Sequence, residues 1–128
     1  MSENLKIFVY IVDDNKSVRS ALELLLLSAD INVSTYETAK EFLQDNPQQN
    51  NSCIITDIMM REIDGFKLKE KLDEIGCNIP VIFLTGVDTP ESRSKAKQIG
   101  VASYLKKPVD DQALLDSIHW VLSGSTEV

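Results

Sequence analysis

Four stretches of the sequence set reactive polar groups directly behind apolar runs. Asp13-Asp14 follows Lys6–Val12, Asp57 follows Ser52–Thr56, Thr85-Gly86 closes Pro80–Thr85, and Lys107-Pro108 stands just past Val101–Leu105. Three carboxylates brought close together repel one another unless protons or a cation compensate. Hard oxygen donors with room for water suit Mg²⁺. A hydroxyl and an ammonium beside them can hold the oxygens of a phosphoryl group, with the ammonium acting as a point charge. Phosphoryl transfer asks mainly for such positioning and charge neutralisation. An aspartate can itself be the nucleophile and become an aspartyl-phosphate. Taken singly, each feature is ordinary: an Asp behind a strand often caps a helix or forms a turn. Their meaning depends on whether the fold brings them together.

The elements that would do so are legible as an alternation of short apolar runs and longer periodic segments. Lys6–Val12, Asn32–Tyr36, Ser52–Thr56, Pro80–Thr85 and Val101–Leu105 read as strands, rich in β-branched and aromatic residues. Lys16–Ala29 carries apolar residues at 18, 21, 22, 25 and 26, the spacing of one helix face. Thr38 and Glu41 have capping-box spacing and open a second helix that ends near Asn46-Pro47, before the polar loop Gln48–Asn51. Asp64–Ile75 is a third helix, with Phe66, Leu68, Leu72 and Ile75 facing in and Gly76 ending it. Thr89-Pro90 opens a fourth, which reaches Ile99 before Gly100 breaks it. Asp110 or Asp111 caps a fifth, with Leu114, Leu115, Ile118, Val121 and Leu122 inward. Strands alternating with helices imply an α/β fold with a parallel sheet covered on both faces. The flavodoxin-like, doubly wound (βα)5 order 2-1-3-4-5 is expected. Ligands of such sheets bind beyond the carboxyl ends of the strands, where Asp13, Asp14, Asp57, Thr85 and Lys107 would meet.

The 128 residues suit one domain, with a core over about 5–122 and a tail over 123–128. Asp and Glu number 20 against 13 Lys and Arg, a net charge of −7, which disfavours direct grip on nucleic acid or on an anionic membrane. No apolar run is long enough to span a bilayer, and Met1-Ser2-Glu3-Asn4 lacks the basic start of a secretory signal. Cytoplasm is the expected compartment. Cys53 and Cys77 have no CxxC spacing and read as two reduced thiols. His119 is the only histidine, which excludes any scheme that needs two.

The motifs Val12-Asp13-Asp14, Ile55-Thr56-Asp57, Asp64-Gly65-Phe66, Pro80–Gly86 and Tyr104–Pro108 resemble those of the receiver domain of bacterial two-component response regulators, over about residues 5–122. The resemblance implies that Asp57 accepts a phosphoryl group from a phosphohistidine on a sensor histidine kinase or histidine phosphotransfer protein. It implies Mg²⁺ bound directly by Asp14 and Asp57, mostly through water by Asp13, and by the backbone carbonyl of Met59. Lys107 and Thr85 would hold the phosphoryl oxygens, the Lys107–Pro108 bond would be cis, and Tyr104 would be the aromatic switch, turning inward as Thr85 moves. The face built from Thr89–Ile99, Val101–Leu105 and Asp110–Leu122 would serve for homodimers or target binding. Arg93, Lys95, Lys97, Asp111 and Asp116 lie on it. Such a protein is no turnover enzyme; it catalyses its own phosphorylation and dephosphorylation only.

Two positions depart from the family pattern. Where the family often has Pro then Gly, four and five residues past the acceptor, this chain has Arg61 and Glu62, which leaves the loop less constrained. An arginine there can sit near the acidic pocket, and more often is simply solvated. Val109 stands where Phe is frequent. Met59 and Val87 occupy the places that influence phosphoryl hydrolysis, and neither side chain can orient water by a strong hydrogen bond, so a slow loss is expected.

Three rival readings have their own signatures. A haloacid-dehalogenase-type hydrolase needs Asp-x-Asp after the first strand, where this chain has Asp13-Asp14-Asn15. A flavin or nucleotide binder needs a Gly-rich loop there, and the whole chain has five glycines. A pseudo-receiver, a never-phosphorylated interaction module, conflicts with an intact Asp13, Asp14, Asp57, Thr85 and Lys107.

Overall fold

The computed structural model describes residues 6–45, 47 and 50–124. The expectations for the second helix's end at Asn46, the Gln48–Gln49 loop and the tail past Gly124 fall outside the described residues. The elements run β1 (Phe8–Val12), α1 (Lys16–Ser28), β2 (Asn32–Tyr36), α2 (Ala39–Gln44), β3 (Ser52–Thr56), α3 (Gly65–Glu74), β4 (Val81–Thr85), α4 (Pro90–Ile99), β5 (Ser103–Lys106) and α5 (Asp111–Leu122). The strands pair in the order β2-β1-β3-β4-β5, each pair parallel. This is the flavodoxin-like topology expected from the strand–helix alternation.

Alternate residues of each strand feed opposite faces of the sheet, as the pleat requires. Tyr10, Val12, Ile54, Val81, Phe83 and Tyr104 pack on one face with Phe42 of α2, Phe66, Leu68 and Leu72 of α3 and Ala96 of α4. Val9, Ile11, Cys53, Ile55, Ile82 and Leu84 pack on the other with Leu22 and Leu26 of α1 and Leu114, Ile118 and Val121 of α5. Burial on both faces goes with apolar runs that end in threonine, Cys53–Ile55 in β3 and Val81–Leu84 in β4. Each fully buried Ile or Phe contributes roughly 1.5–3 kcal/mol, so these faces hold the strand ends in place.

The helix starts are set by side-chain caps. Asn15 Oδ1 accepts from Val18 N at 3.0 Å, Asp64 Oδ1 from Lys67 N at 2.8 Å, Thr89 Oγ1 from Ser92 N at 3.0 Å, and Asp110 Oδ2 from Ala113 N at 3.1 Å. Thr38 and Glu41 form the full capping box. Gly100, at φ 83°, ends α4 in the left-handed conformation that favours glycine.

Some details of burial and strand bounds differ from the sequence expectations. Ala21 is exposed and Ile75 is 69% exposed, because α1 and α3 seat narrower stripes than their apolar spacing suggests. β5 begins at Ser103 rather than Val101: Val101 and Ala102 are buried, but they lead into the strand, with Ala102 N bonded to Val81 O at 2.7 Å. Both cysteines are free and buried, and burial pushes the Cys53 thiol up to about 12, well away from reactive thiolate.

Candidate functional site

The register of β1 against β3 sets Val12 beside Thr56, so the next residues, Asp13 and Asp57, leave the sheet together. Asp57 N bonds Val12 O at 3.1 Å and Asp13 N bonds Tyr36 O at 3.1 Å, which extends the ladder past the strand ends and fixes both backbones. One carboxylate oxygen from each of Asp13, Asp14 and Asp57 lies within 4.8 Å of the other two. The residue just past β5 supplies the counter-charge. Lys107 N is anchored to Thr85 O at 2.7 Å, and Lys107 Nζ reaches Asp13 Oδ2 at 3.0 Å and Asp57 Oδ2 at 3.2 Å. The Lys107–Pro108 peptide is cis, as the resemblance implied.

Asp13 is 2% exposed and is further held by Asn15 N, which donates to its Oδ1 at 2.9 Å. Arg19 of α1 donates to the Asp13 carbonyl at 2.7 Å. Nothing in the sequence singled out Arg19 or the Asn15 amide, since both act through loop geometry. Met59 N donates to Asp57 Oδ1 at 3.3 Å, which seats the Met59 peptide beside the carboxylate cluster while its side chain is exposed. Behind Asp57, Gly65 N bonds Ile58 O at 2.8 Å. A Cβ on Gly65 would lie 2.6 Å from the Asp57 carbonyl oxygen and 2.9 Å from Ile58 Cα. The Asp64-Gly65 motif thus provides a cap and the space the Asp57 backbone needs.

Thr85 is fully buried, and its hydroxyl is paired with Val87, whose N–H donates to Thr85 Oγ1 at 3.1 Å. Tyr104 is buried with its ring under the Arg93 guanidinium, 4.5 Å from the ring centroid, and its hydroxyl lies near Asp88 without hydrogen-bonding it. Arg93 also bonds Asp88 Oδ2 at 2.9 Å, so α4, β5 and the loop after β4 share one cluster. Tyr104 is inward in this structure while the Thr85 hydroxyl is turned to the loop.

Burial raises the Asp57 carboxyl above its ordinary pKa of 3.8; Lys107 pulls it back and Asp13 pushes it up again. The folded protein therefore holds this proton more tightly than the unfolded chain does, and ionised Asp57 lowers stability. Asp57→Asn should raise the urea midpoint at neutral pH. The gain should shrink as pH falls through the raised folded pKa and disappear below 3.8, where both states are protonated. Urea melts at neutral and acid pH check this; a lower midpoint for the variant at neutral pH would contradict it.

The loop after β3 takes an unusual path. Ile63 N bonds Arg61 O at 2.8 Å across Glu62, whose φ is 68°. That is the strained γ-turn, at the residue where the family often has glycine. Arg61 leaves this turn toward Asp14, with Nε 3.9 Å from Asp14 Oδ2, and toward Glu37, 3.3 Å from its Oε2. Its departure from the family pattern marks it, but sequence alone favours a solvated side chain.

Three carboxylates with oxygens this close, half-open to solvent at Asp14 and Asp57, fit a hard divalent cation. Comparisons with known proteins cover the stretch of chain that carries these residues. The response regulator receiver domain family matches residues 9–119. The transcriptional regulatory protein TdiR of Thauera aromatica is 34% identical over 120 residues, covering 94% of this chain and 53% of that protein. The transcriptional regulatory protein FixJ of Azorhizobium caulinodans is 33% identical over 119 residues, 93% of this chain and 56% of that protein. The chain thus spans about half the length of these curated relatives. Among solved structures, the response regulator StyR superposes with a TM-score of 0.84 at 36% identity, over 94% of this chain and 61% of that one. FixJ-N superposes with a TM-score of 0.86 at 27% identity, over 97% and 99%. With this topology, this cluster at its strand ends and these relatives, the chain belongs to the receiver domain family of two-component response regulators.

Proposed function

We propose that this single domain accepts a phosphoryl group on Asp57 from the phosphohistidine of a sensor histidine kinase or histidine phosphotransfer protein. The observation that carries this reading is the Lys107 ammonium shared between Asp13 and Asp57 at 3.0 and 3.2 Å. An Asp57 oxygen attacks phosphorus, the donor's P–N bond breaks, and the imidazole leaves as it takes up a proton. Asp14 and Asp57 would hold Mg²⁺ directly, Asp13 mostly through water, and the Met59 carbonyl would complete the protein ligands. Bound there, Mg²⁺ would offset the charge of the phosphoryl oxygens. Lys107 moves with the new oxygens as a point charge, already poised at Asp57. Thr85 exchanges its bond with Val87 for one to a phosphoryl oxygen.

That exchange supplies a link to the output. Freeing Val87 from Thr85 loosens the loop after β4, which Asp88 and Arg93 tie to Tyr104. Active and inactive forms differ in this cluster, and phosphorylation shifts their populations. The α4-β5-α5 face carries the change to a second copy or to an effector. The domain acts in the cytoplasm, makes no direct contact with nucleic acid or membrane, and turns over no substrate beyond its own phosphoryl group.

Met59 and Val87 are 63% and 52% exposed beside Asp57 and Thr85, and neither offers a strong hydrogen bond to an attacking water. Loss of the phosphoryl group should therefore be slow for the family. A radiolabel or phosphate-release time course checks it, and a half-life of seconds would contradict it.

Beryllofluoride, a non-transferable phosphoryl mimic, tests the function with Mg²⁺ present. NMR amide shifts should change at Asp57, Thr85, Val87 and Tyr104 together. A spectrum that does not move at saturating beryllofluoride would favour the pseudo-receiver instead.

A further inference from the structure

Among the described residues, the Arg61 guanidinium pairs with a carboxylate of the pocket and has no part in the proposed chemistry. Arg61 extends from the loop after β3, with Nε 3.9 Å from Asp14 Oδ2 and a terminal nitrogen 3.3 Å from Glu37 Oε2. It therefore bridges the loops that follow β1 and β2. Lys107 is engaged by Asp13 and Asp57, which leaves Asp14 as the carboxylate that Arg61 neutralises. The side chain is 72% exposed, against 27% for Asp14 and 51% for Glu37, so it can leave Asp14 without leaving Glu37. Its backbone is fixed by the γ-turn through Glu62, so its departure needs side-chain rotation only.

A guanidinium and a divalent cation cannot both take the same carboxylate oxygen at full strength, and their charges repel. We infer that Arg61 is a resident competitor for Asp14 that weakens Mg²⁺ binding, and that it gives up Asp14 and keeps Glu37 when the cation arrives. This inference rests on the reading that Asp14 and Asp57 are the metal ligands. It makes Arg61 a positioning residue that sets the Mg²⁺ concentration at which the pocket becomes competent. Long, exposed ion pairs shift equilibria modestly, so the effect is a severalfold change in affinity. It is also screened by salt.

The test is Mg²⁺ affinity, read by calorimetry or by amide shifts during a titration with the metal alone. Arg61→Gln should bind Mg²⁺ about threefold to fivefold more tightly than the parent protein. The gap should narrow at about 0.5 M KCl, where screening reaches within a few ångström. Lys97→Gln, the same charge change in the last turn of α4, should leave the affinity nearly unchanged. Equal affinities for the parent and Arg61→Gln, or equal gains in both variants, would overturn the role of Arg61 while leaving the metal reading intact. No Mg²⁺ binding by any of the proteins would overturn the metal reading and this inference with it.

Discussion

Lys107→Met should destabilise the metal-free protein by about 2–3 kcal/mol and slow phosphoryl uptake roughly a hundredfold. Lys107 is the cation that holds Asp13 and Asp57 together, at 3.0 and 3.2 Å. Burial pulls its pKa down, but the hydrogen bonds and charges of Asp13 and Asp57 outweigh that and leave it raised. A raised lysine contributes stability that is fully present at neutral pH and is lost only as pH climbs through its folded value. Removing it strands the Asp13 side chain, 4% exposed, with the Asn15 amide as its remaining donor. Breaking a buried pair costs about 3–5 kcal/mol, and the smaller loss expected of Lys107→Met reflects the water that reaches a side chain 22% exposed. Mg²⁺ should restore more stability to the variant than it adds to the parent protein, because no ammonium shares the carboxylates. Binding at a hundred times Kd is worth about 2.7 kcal/mol to any folded state that holds a ligand. Urea denaturation with and without Mg²⁺ reads both effects, and an unchanged metal-free midpoint would make Lys107 a bystander.

Gly65→Ala is the second large effect. The added methyl would meet the Asp57 carbonyl oxygen at 2.6 Å and Ile58 Cα at 2.9 Å. Both are backbone atoms in a segment pinned by Asp57 N on Val12 O and Gly65 N on Ile58 O. Neither can swing aside as a flexible side chain would. Overpacking of this kind typically costs about 1–3 kcal/mol, and a clash on two pinned backbone atoms belongs at the upper end. Relief must come from moving α3 away from β3 or Asp57 away from Lys107, so phosphoryl uptake should fall along with stability. Denaturation midpoints of Gly65→Ala alone and combined with Asp57→Asn separate the two. The stability loss should persist in the double variant, since it arises from the backbone rather than the carboxylate. A Gly65→Ala protein with parental stability would contradict the close approach.

Much of this architecture could be read in the residues. Thr38 with Glu41, Thr89-Pro90 and Gly100 are local devices whose physics needs no tertiary context, and each appears where the sequence put it. The strand ends follow from apolar runs stopped by Asp13, Asp57 and Thr85, because β-branched residues buried on both faces leave little ambiguity. What the sequence could not supply depends on distance in space. Ala21 and Ile75 satisfy helical spacing yet face solvent, since periodicity reports a stripe and not how much of it a sheet covers. Val101 and Ala102 read as strand because burial and hydrogen-bond pairing look alike in a short apolar run. The Thr85 hydroxyl has two acceptable partners, and only the loop geometry decides that it sits on Val87. Arg61 stands out as an exception to a pattern, but its pairing with Asp14 and Glu37 needs the three loops brought together.

The most direct measurement is the intact mass of the protein after incubation with acetyl phosphate and Mg²⁺, with the site of any gain mapped. The parent protein should gain one phosphoryl group, carried on Asp57 and removed by hydroxylamine, and Asp57→Asn should gain none. A gain of the same size in Asp57→Asn, or no gain by the parent protein with Mg²⁺ present, would contradict the assignment of Asp57 as the acceptor.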